Sequence, residues 1–510
     1  MLSDLDIHFL CDDCGGMVQA DEARYASRSA LTSSLRALIS LRRRVVSSRE
    51  PQFLVLSEQT DWITLGAAGK RQGLDLSQIK KRISRSPIRN IELLGWARED
   101  ADAAILLLSN LMQNAKQIQG IKLNECDLPP IDLSTLSSIH FTCIQSELTA
   151  IDANPMCRSI PQHLKQLVFN YNPIGDSPVR IIADILQRRG FSLEDVQLIG
   201  CEVSDVGAMA LADALHSNTM LRKLCLSANL ISDVGVTALC TSLSTESRLS
   251  DLQIGYNSFG EGGFQAIAEA LNRGIAIDTL YLHGQIRSLS SIPEKQPIVQ
   301  ALALSNTLRE LNLSFNHLGD AGATLLAHVL KTSRSVQTLF LTNCYIGNNG
   351  IVAIAKALGT NSTLRELWLT HNNYNDAGVE SLAEAMTINT VLERLFLGRV
   401  GCGRAAAMKM VTAICQNHNT NNNTKSSGSS LCEMIFLPSC CAPHDAEDDI
   451  HRFFRLEFEY LRSTKLKSIW RDDDNVAQLA LILEHLARNE SFGSDLVYHT
   501  LRSMPDRITG

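Results

Sequence analysis

At 510 residues and 45% hydrophobic composition, the chain is too long for one compact core unless repeated units extend that core sideways. A formal net charge of -7 and a pI near 6.0 supply no cationic field for nucleic acid or an anionic lipid surface. Fourteen cysteines scattered over this length lack the density of a disulfide-stapled secreted module, which points to reduced thiols and a cytoplasmic or nuclear protein.

The start, MLSDLDIHFLCDDCGG, puts Asp4 and Asp6 where a secretory signal needs positive charge and then an unbroken apolar run. Leu31, Leu35, Leu38 and Ile39 share one helical face within residues 21–46, a pattern that suits a cap over the open edge of a repeat array. The basic stretch GKRQGLDLSQIKKRISRSP, residues 69–87, reads as solvated surface charge, and residues 1–87 together read as an N-terminal helical cap region. The most apolar run, Ala103 to Met112, is about half the roughly 20 residues of a bilayer-spanning helix.

Residues 88–442 are repetitive. Degenerate copies start at Ile88, Ile118 and Leu136, and clear ones at Leu164 (LKQLVFNYN), Leu193 (LEDVQLIGC), Leu221 (LRKLCLSAN), Leu249 (LSDLQIGYN), Leu308 (LRELNLSFN), Val336 (VQTLFLTNC), Leu364 (LRELWLTHN) and Leu392 (LERLFLGRV). Most neighbouring clear copies are 28 residues apart, and Leu431 (LCEMIFLPS) begins a partial last copy. Each clear unit runs on to a glycine (Gly207, Gly235, Gly263, Gly322, Gly350 or Gly378) and then a stretch apolar at helical spacing, such as VTALCTSL. The copy at Ile277 (IDTLYLHGQ) lacks the glycine and continues through RSLSSIPEKQP, which predicts an irregular loop. Residues 417–430, NHNTNNNTKSSGSS, predict a flexible loop, and residues 443–510 a tail of two amphipathic helices around Asp472, Asp473 and Asp474.

The LxxLxLxxN/C pattern, with second halves of the GDAGATLLAHVL type, resembles the leucine-rich repeat family and its ribonuclease-inhibitor-like subclass. The resemblance is specific over about 164–396 and weaker over 88–163. It implies an α/β horseshoe solenoid, with parallel strands on the concave face and helices on the convex one. Within each strand the second and third leucines turn into the core, and the residue between them faces out. The closing residues Asn172, Cys201, Asn229, Asn257, Asn316, Cys344 and Asn372 turn inward to satisfy the backbone of the loop that leaves the strand. Cys201 and Cys344 thus have a packing role.

The outward mid-strand positions read Val196 or a near neighbour, Cys225, Gln253, Tyr281, Asn312, Phe340, Trp368 and Phe396. Tyr281 to Phe396 would form an aromatic stripe roughly 19 Å long at about 4.8 Å per strand step. The strand-end patterns GYN, SFN and THN add Tyr256, Phe315 and His371, and Arg309, Glu310, Arg365, Glu366, Glu393, Arg394 and Arg399 lie around the stripe. An aromatic centre with a charged rim is the usual make-up of a binding hot spot. The candidate protein-binding residues are therefore Tyr256, Tyr281, Arg309, Phe315, Phe340, Arg365, Trp368, His371, Arg394 and Phe396. In the resembled inhibitor family, concave tryptophans at equivalent strand positions contact ligands. The competing readings are cross-strand packing alone, or cover by the C-terminal tail.

Cys11 and Cys14 form a lone CxxC, and Cys440, Cys441 and His444 are too remote in sequence to complete a four-ligand zinc site by spacing alone. No phosphate-binding glycine loop, HExxH or GxSxG stands in a supporting context, so no catalytic residue, metal or cofactor is expected. Ran GTPase-activating proteins have a similar repeat length, but their strongly acidic segment after the solenoid has no counterpart here and their functional residues match no motif. The ligand-sensing half of a nucleotide-binding immune-type receptor lacks its nucleotide-binding domain. The expectation is a non-enzymatic, monomeric scaffold or regulator that binds another protein, not nucleic acid or membrane.

Overall fold

The computed structural model describes residues 55–56, 62–66, 89–96, 105, 108, 119–135, 139–284, 296–400, eight positions within 402–413, and 433–438. These divide between two compact units, residues 1–148 with 158–164 and residues 149–157 with 165–510. The helix read over 21–46, the basic stretch 69–87, the loops 285–295 and 417–430, the tail, and Cys11, Cys14, Cys440, Cys441 and His444 lie outside the described residues.

In the first unit, β1 (Val55–Leu56) pairs antiparallel with β2 (Trp62–Gly66). Then β2, β3 (Asn90–Leu94), β4 (Gly120–Asn124) and β5 (His140–Ile144) pair in parallel, in chain order. The last three are the copies expected at Ile88, Ile118 and Leu136. Ile91 and Leu93, Ile121 and Leu123, and Phe141 and Cys143 are buried, while register sets Glu92, Lys122 and Thr142 side by side on the opposite face. β1 and β2 fall within a segment read as helical; Trp62-Ile63-Thr64 is rich in the aromatic and β-branched residues that suit a strand.

The second unit opens with α1 (Ala150–Arg158) and then alternates strand with helix. Its strands are β6 (Gln166–Val168), β7 (Asp195–Gln197), β8 (Lys223–Cys225), β9 (Asp251–Gln253), β10 (Thr279–Tyr281), β11 (Glu310–Asn312), β12 (Thr338–Phe340), β13 (Glu366–Trp368), β14 (Arg394–Val400) and β15 (Glu433–Pro438). Between them run α2 (Asp176–Gln187), α3 (Asp205–Leu215), α4 (Asp233–Ser242), α5 (Glu261–Asn272), α6 (Gln296–Leu304), α7 (Gly319–Thr332), α8 (Asn348–Leu358) and α9 (Asp376–Met386). Every adjacent pair from β6 to β15 is parallel and in chain order. This is the leucine-rich-repeat solenoid that the repeat implied.

The core lies between sheet and helices. Leu280 and Leu282, Leu339 and Leu341, and Leu367 and Leu369 are buried in it from the strands, as are Leu211, Leu239, Leu326, Ile354 and Leu382 from the helices. Each such side chain contributes about 1.5–3 kcal/mol on burial. A repeat cannot bury its apolar faces alone, so each depends on its neighbours.

Two polar ladders set the repeat spacing. In the first, Asn229 Nδ2 donates to the Leu198 and Leu226 carbonyls at 2.7 and 2.9 Å, while its Oδ1 accepts from the Cys201 and Val203 amides at 3.0 Å each. Asn257, Asn316 and Asn372 bridge consecutive turns in the same way. The Cys201 and Cys344 thiols donate to the Phe169 and Leu313 carbonyls at 2.9 and 3.2 Å, and burial pushes the Cys344 thiol up to about 12, which fits the packing role expected of it.

The second ladder was not anticipated. Asp205, in the first turn of α3, accepts from the Ser232 and Gly235 amides of the next repeat at 2.7 and 3.0 Å, so one repeat's carboxylate caps the following helix. Asp176, Asp233, Asp320 and Asn348 do the same for α3, α5, α8 and α9. This accounts for Gly207, Gly235, Gly350 and Gly378: a Cβ on Gly235 would come within 2.7 Å of the Asp205 Oδ1 that it must approach, whereas at Gly263 and Gly322 it would meet Phe259 and Leu318 of the same repeat.

Candidate functional site

Strand register builds one column on the open face of the second unit, the face away from the helices: Val168, Gln197, Cys225, Gln253, Tyr281, Asn312, Phe340, Trp368, Phe396 and Ile435 lie opposite one another in turn. Of the expected Val196 or a near neighbour, it is the neighbour that stands in this column. Val196 is buried and pairs with Leu224, because it fills the second-leucine slot of its copy, and Gln197 takes the open position.

The aromatic members touch. Ring centroids run from Tyr281 to Phe340 at 6.2 Å, to Trp368 at 5.6 Å and to Phe396 at 3.9 Å, the last pair stacked. From Tyr281 the chain turns along the sheet to His283 at 5.8 Å, then to Tyr256 at 4.8 Å and Phe315 at 6.0 Å. His283, which was not among the candidate residues, therefore joins the two groups of candidate aromatics.

Two glycines make that join possible. The His283 ring lies against Gly255, whose Cβ would meet it at 2.4 Å, and the Tyr256 ring lies against Gly284, whose Cβ would meet it at 2.2 Å. Gly255-Tyr256 and His283-Gly284 occupy equivalent positions of consecutive repeats, so each ring fills the space that the other repeat's glycine leaves. Tyr256, Phe315 and His371 all sit at positive φ (51°, 59° and 56°), at the same turn position just before the closing asparagine. His371 is exposed there and makes no ring contact among the described residues.

The anchors differ in exposure. Tyr281, Phe340 and Trp368 are half-buried, but Phe396, expected as an exposed anchor, is only 5% exposed. It is stacked on Trp368, and β15 pairs along its other side. Phe396 thus backs the tryptophan rather than facing solvent.

Carboxylates beside the column hold the rings. Trp368 donates its indole N–H to Glu366 at 2.7 Å, and Glu366 in turn pairs with Arg394. Tyr281 donates its hydroxyl to Glu310. Partial burial holds the Glu310 carboxyl above its ordinary value; the Tyr281 hydrogen bond opposes this, while Asp251, Glu366 and Asp278 add repulsion. Asp251 is likewise raised by burial, against the pull of Lys223 at 3.4 Å. The expected rim residues Arg309, Arg365 and Arg394 are exposed, paired with Asp278 at 3.0 Å, with Glu393 and with Glu366 respectively. Arg399 lies in β14, paired with Leu437 of β15.

No grouping of His, Cys, Asp and Glu suited to a metal ion occurs among the described residues, and no described helix is long and apolar enough to cross a membrane. Chemically, the column offers a fixed apolar ridge edged by charge.

Comparison with known proteins returns the "Leucine Rich repeat" family at residues 217–240, 304–327 and 360–383. Ribonuclease inhibitor from Sus scrofa is 26% identical over 148 residues, which is 29% of this chain and 28% of the inhibitor, so the match spans under a third of that relative. Among solved structures, the actin-binding site 2 of leiomodin-1 is 19% identical, covering 31% of this chain and 91% of its own at a TM-score of 0.26. An internalin from Listeria monocytogenes is 16% identical, covering 64% and 82% at a TM-score of 0.37.

Proposed function

We propose that the chain, a leucine-rich-repeat protein of the ribonuclease-inhibitor-like type, is a scaffold or regulator that acts by binding another protein on the open face of its second unit. The observation that carries this reading is Trp368: a half-buried indole within a contiguous ring chain, its one donor held by Glu366, which Arg394 holds in turn. Rings fixed in this way lose little side-chain freedom when covered, which favours affinity. An aromatic side chain buries about 150–250 Å² when fully covered, so Tyr281, Phe340 and Trp368 would supply a substantial part of the roughly 800 Å² per partner of a standard interface.

Around these anchors Arg309, Arg365 and Arg394 form the charged rim, with Tyr256, Phe315 and His371 at the strand ends. The eight cysteines among the described residues are all free and buried, which supports a reducing compartment. Affinity purification with mass spectrometry, comparing the wild type with a Phe340→Ala/Trp368→Ala double variant, tests the reading. One or more partners should disappear while the thermal transition moves only modestly. An unchanged set of captured proteins from a folded variant rules the docking face out.

A further inference from the structure

Taking the ring chain as a protein-docking face, we propose that its partner places a cationic side chain, arginine or lysine, beside Glu310 and against the Tyr281 and Phe340 rings.

Tyr281 and Phe340 belong to strands two steps apart, about 9.6 Å, yet their centroids are 6.2 Å apart, so the rings lean toward each other across Asn312 of β11. The same strand presents Glu310. One of its carboxylate oxygens takes the Tyr281 hydroxyl, and the other makes no hydrogen bond or ion pair among the described residues. Its neighbours on this face are differently placed. Asp251 has Lys223, Asp278 has Arg309, Glu366 has Arg394 and Glu393 has Arg365. Glu310 is the half-buried carboxylate of the aromatic segment that has no cation beside it among the described residues.

The surroundings favour one sign of visitor. Asp251, Glu366 and Asp278 all raise the proton affinity of Glu310, so a positive charge is welcome where a second negative charge is not. An ammonium or guanidinium at this point meets the free carboxylate oxygen and the electron-rich face of a neighbouring ring. Guanidinium adds planarity, which lets it stack while it donates. An acidic side chain here would be repelled, and an aliphatic one would leave the carboxylate desolvated and unpaired.

Panning random dodecapeptides against the full chain tests the proposal, with binding of the selected peptides then measured on wild type, Glu310→Gln, Tyr281→Phe and Trp368→Ala. The selected peptides should be enriched in arginine or lysine. They should lose about tenfold in affinity on Glu310→Gln. Tyr281→Phe, which keeps the ring and the charge, should leave affinity within about twofold. Wild-type affinity should also fall with added salt, a readout that needs no variant to fold. Peptides that are neutral or acidic, or that bind Glu310→Gln as tightly as wild type while losing affinity for Trp368→Ala, overturn the cation site and leave the docking face standing. Binding indifferent to Trp368→Ala, or no selected peptide at all, overturns both.

Discussion

The buried amide of Asn229 joins two repeats through five hydrogen bonds, to the carbonyls of Leu198, Leu226 and Ser227 and from the amides of Cys201 and Val203. Asn229→Ala leaves these backbone groups unpaired in the core, and a loss of about 2–4 kcal/mol is expected, measurable by urea denaturation. That role was legible because a polar residue closing an apolar strand has to satisfy the backbone around it. Trp368 was legible as an outward residue for the same reason of alternation, but its indole contact with Glu366 was not. It depends on which rotamers two residues of one strand adopt under a neighbouring ring. Phe396 shares the outward register and is nonetheless buried, because β15 returns from beyond residue 430 to pair beside it.

Among the elements, the helices are held at their N-termini by the repeat before them. Gly235→Ala would ordinarily favour a helix by about 1 kcal/mol. Here the added Cβ meets Asp205 Oδ1 at 2.7 Å, Ile231 Cγ2 at 2.7 Å and Ala208 Cβ at 2.9 Å. The expected outcome is destabilisation by about 1–3 kcal/mol. In a double-mutant cycle with Asp205→Ala, the two effects should be less than additive, because removing the carboxylate relieves part of the collision. Additive losses would show that Asp205 and Gly235 are not coupled. The recurring glycine was visible in the sequence; its cause at Gly235 was not, since the colliding oxygen lies 30 residues earlier in the chain.

Across the regular copies from Leu308 to Leu392, a ladder of period 28 means that a deletion keeps the ladder in register when it removes a whole repeat. Deleting residues 336–363 brings Asp320 to the α9 terminus in place of Asn348 and keeps every strand facing the same way. Circular dichroism should retain its helical signal and a cooperative melt. Deleting 336–349 alone removes β12 and runs α7 into the rest of α8, a helix where the sheet needs a strand, and the melt should broaden or vanish. Equal behaviour of the two deletions would refute the ladder as the element that sets the period.

Repetition by itself determined the fold class, the alternation of strand with helix, the core leucines and the closing asparagines. Each of these follows from local periodicity, and errors in one copy are corrected by the others. The tertiary structure decided the rest: that Tyr256, His283 and Tyr281 form one ring chain, that Phe396 is buried in its stack on Trp368 rather than in the open, and that Glu310 has no cation beside it among the described residues. Those outcomes depend on side chains 25 to 30 residues apart reaching across neighbouring strands, where glycines such as Gly255 and Gly284 leave room and ion pairs compete for partners. Local periodicity carries no information about such contacts; only the assembled register does.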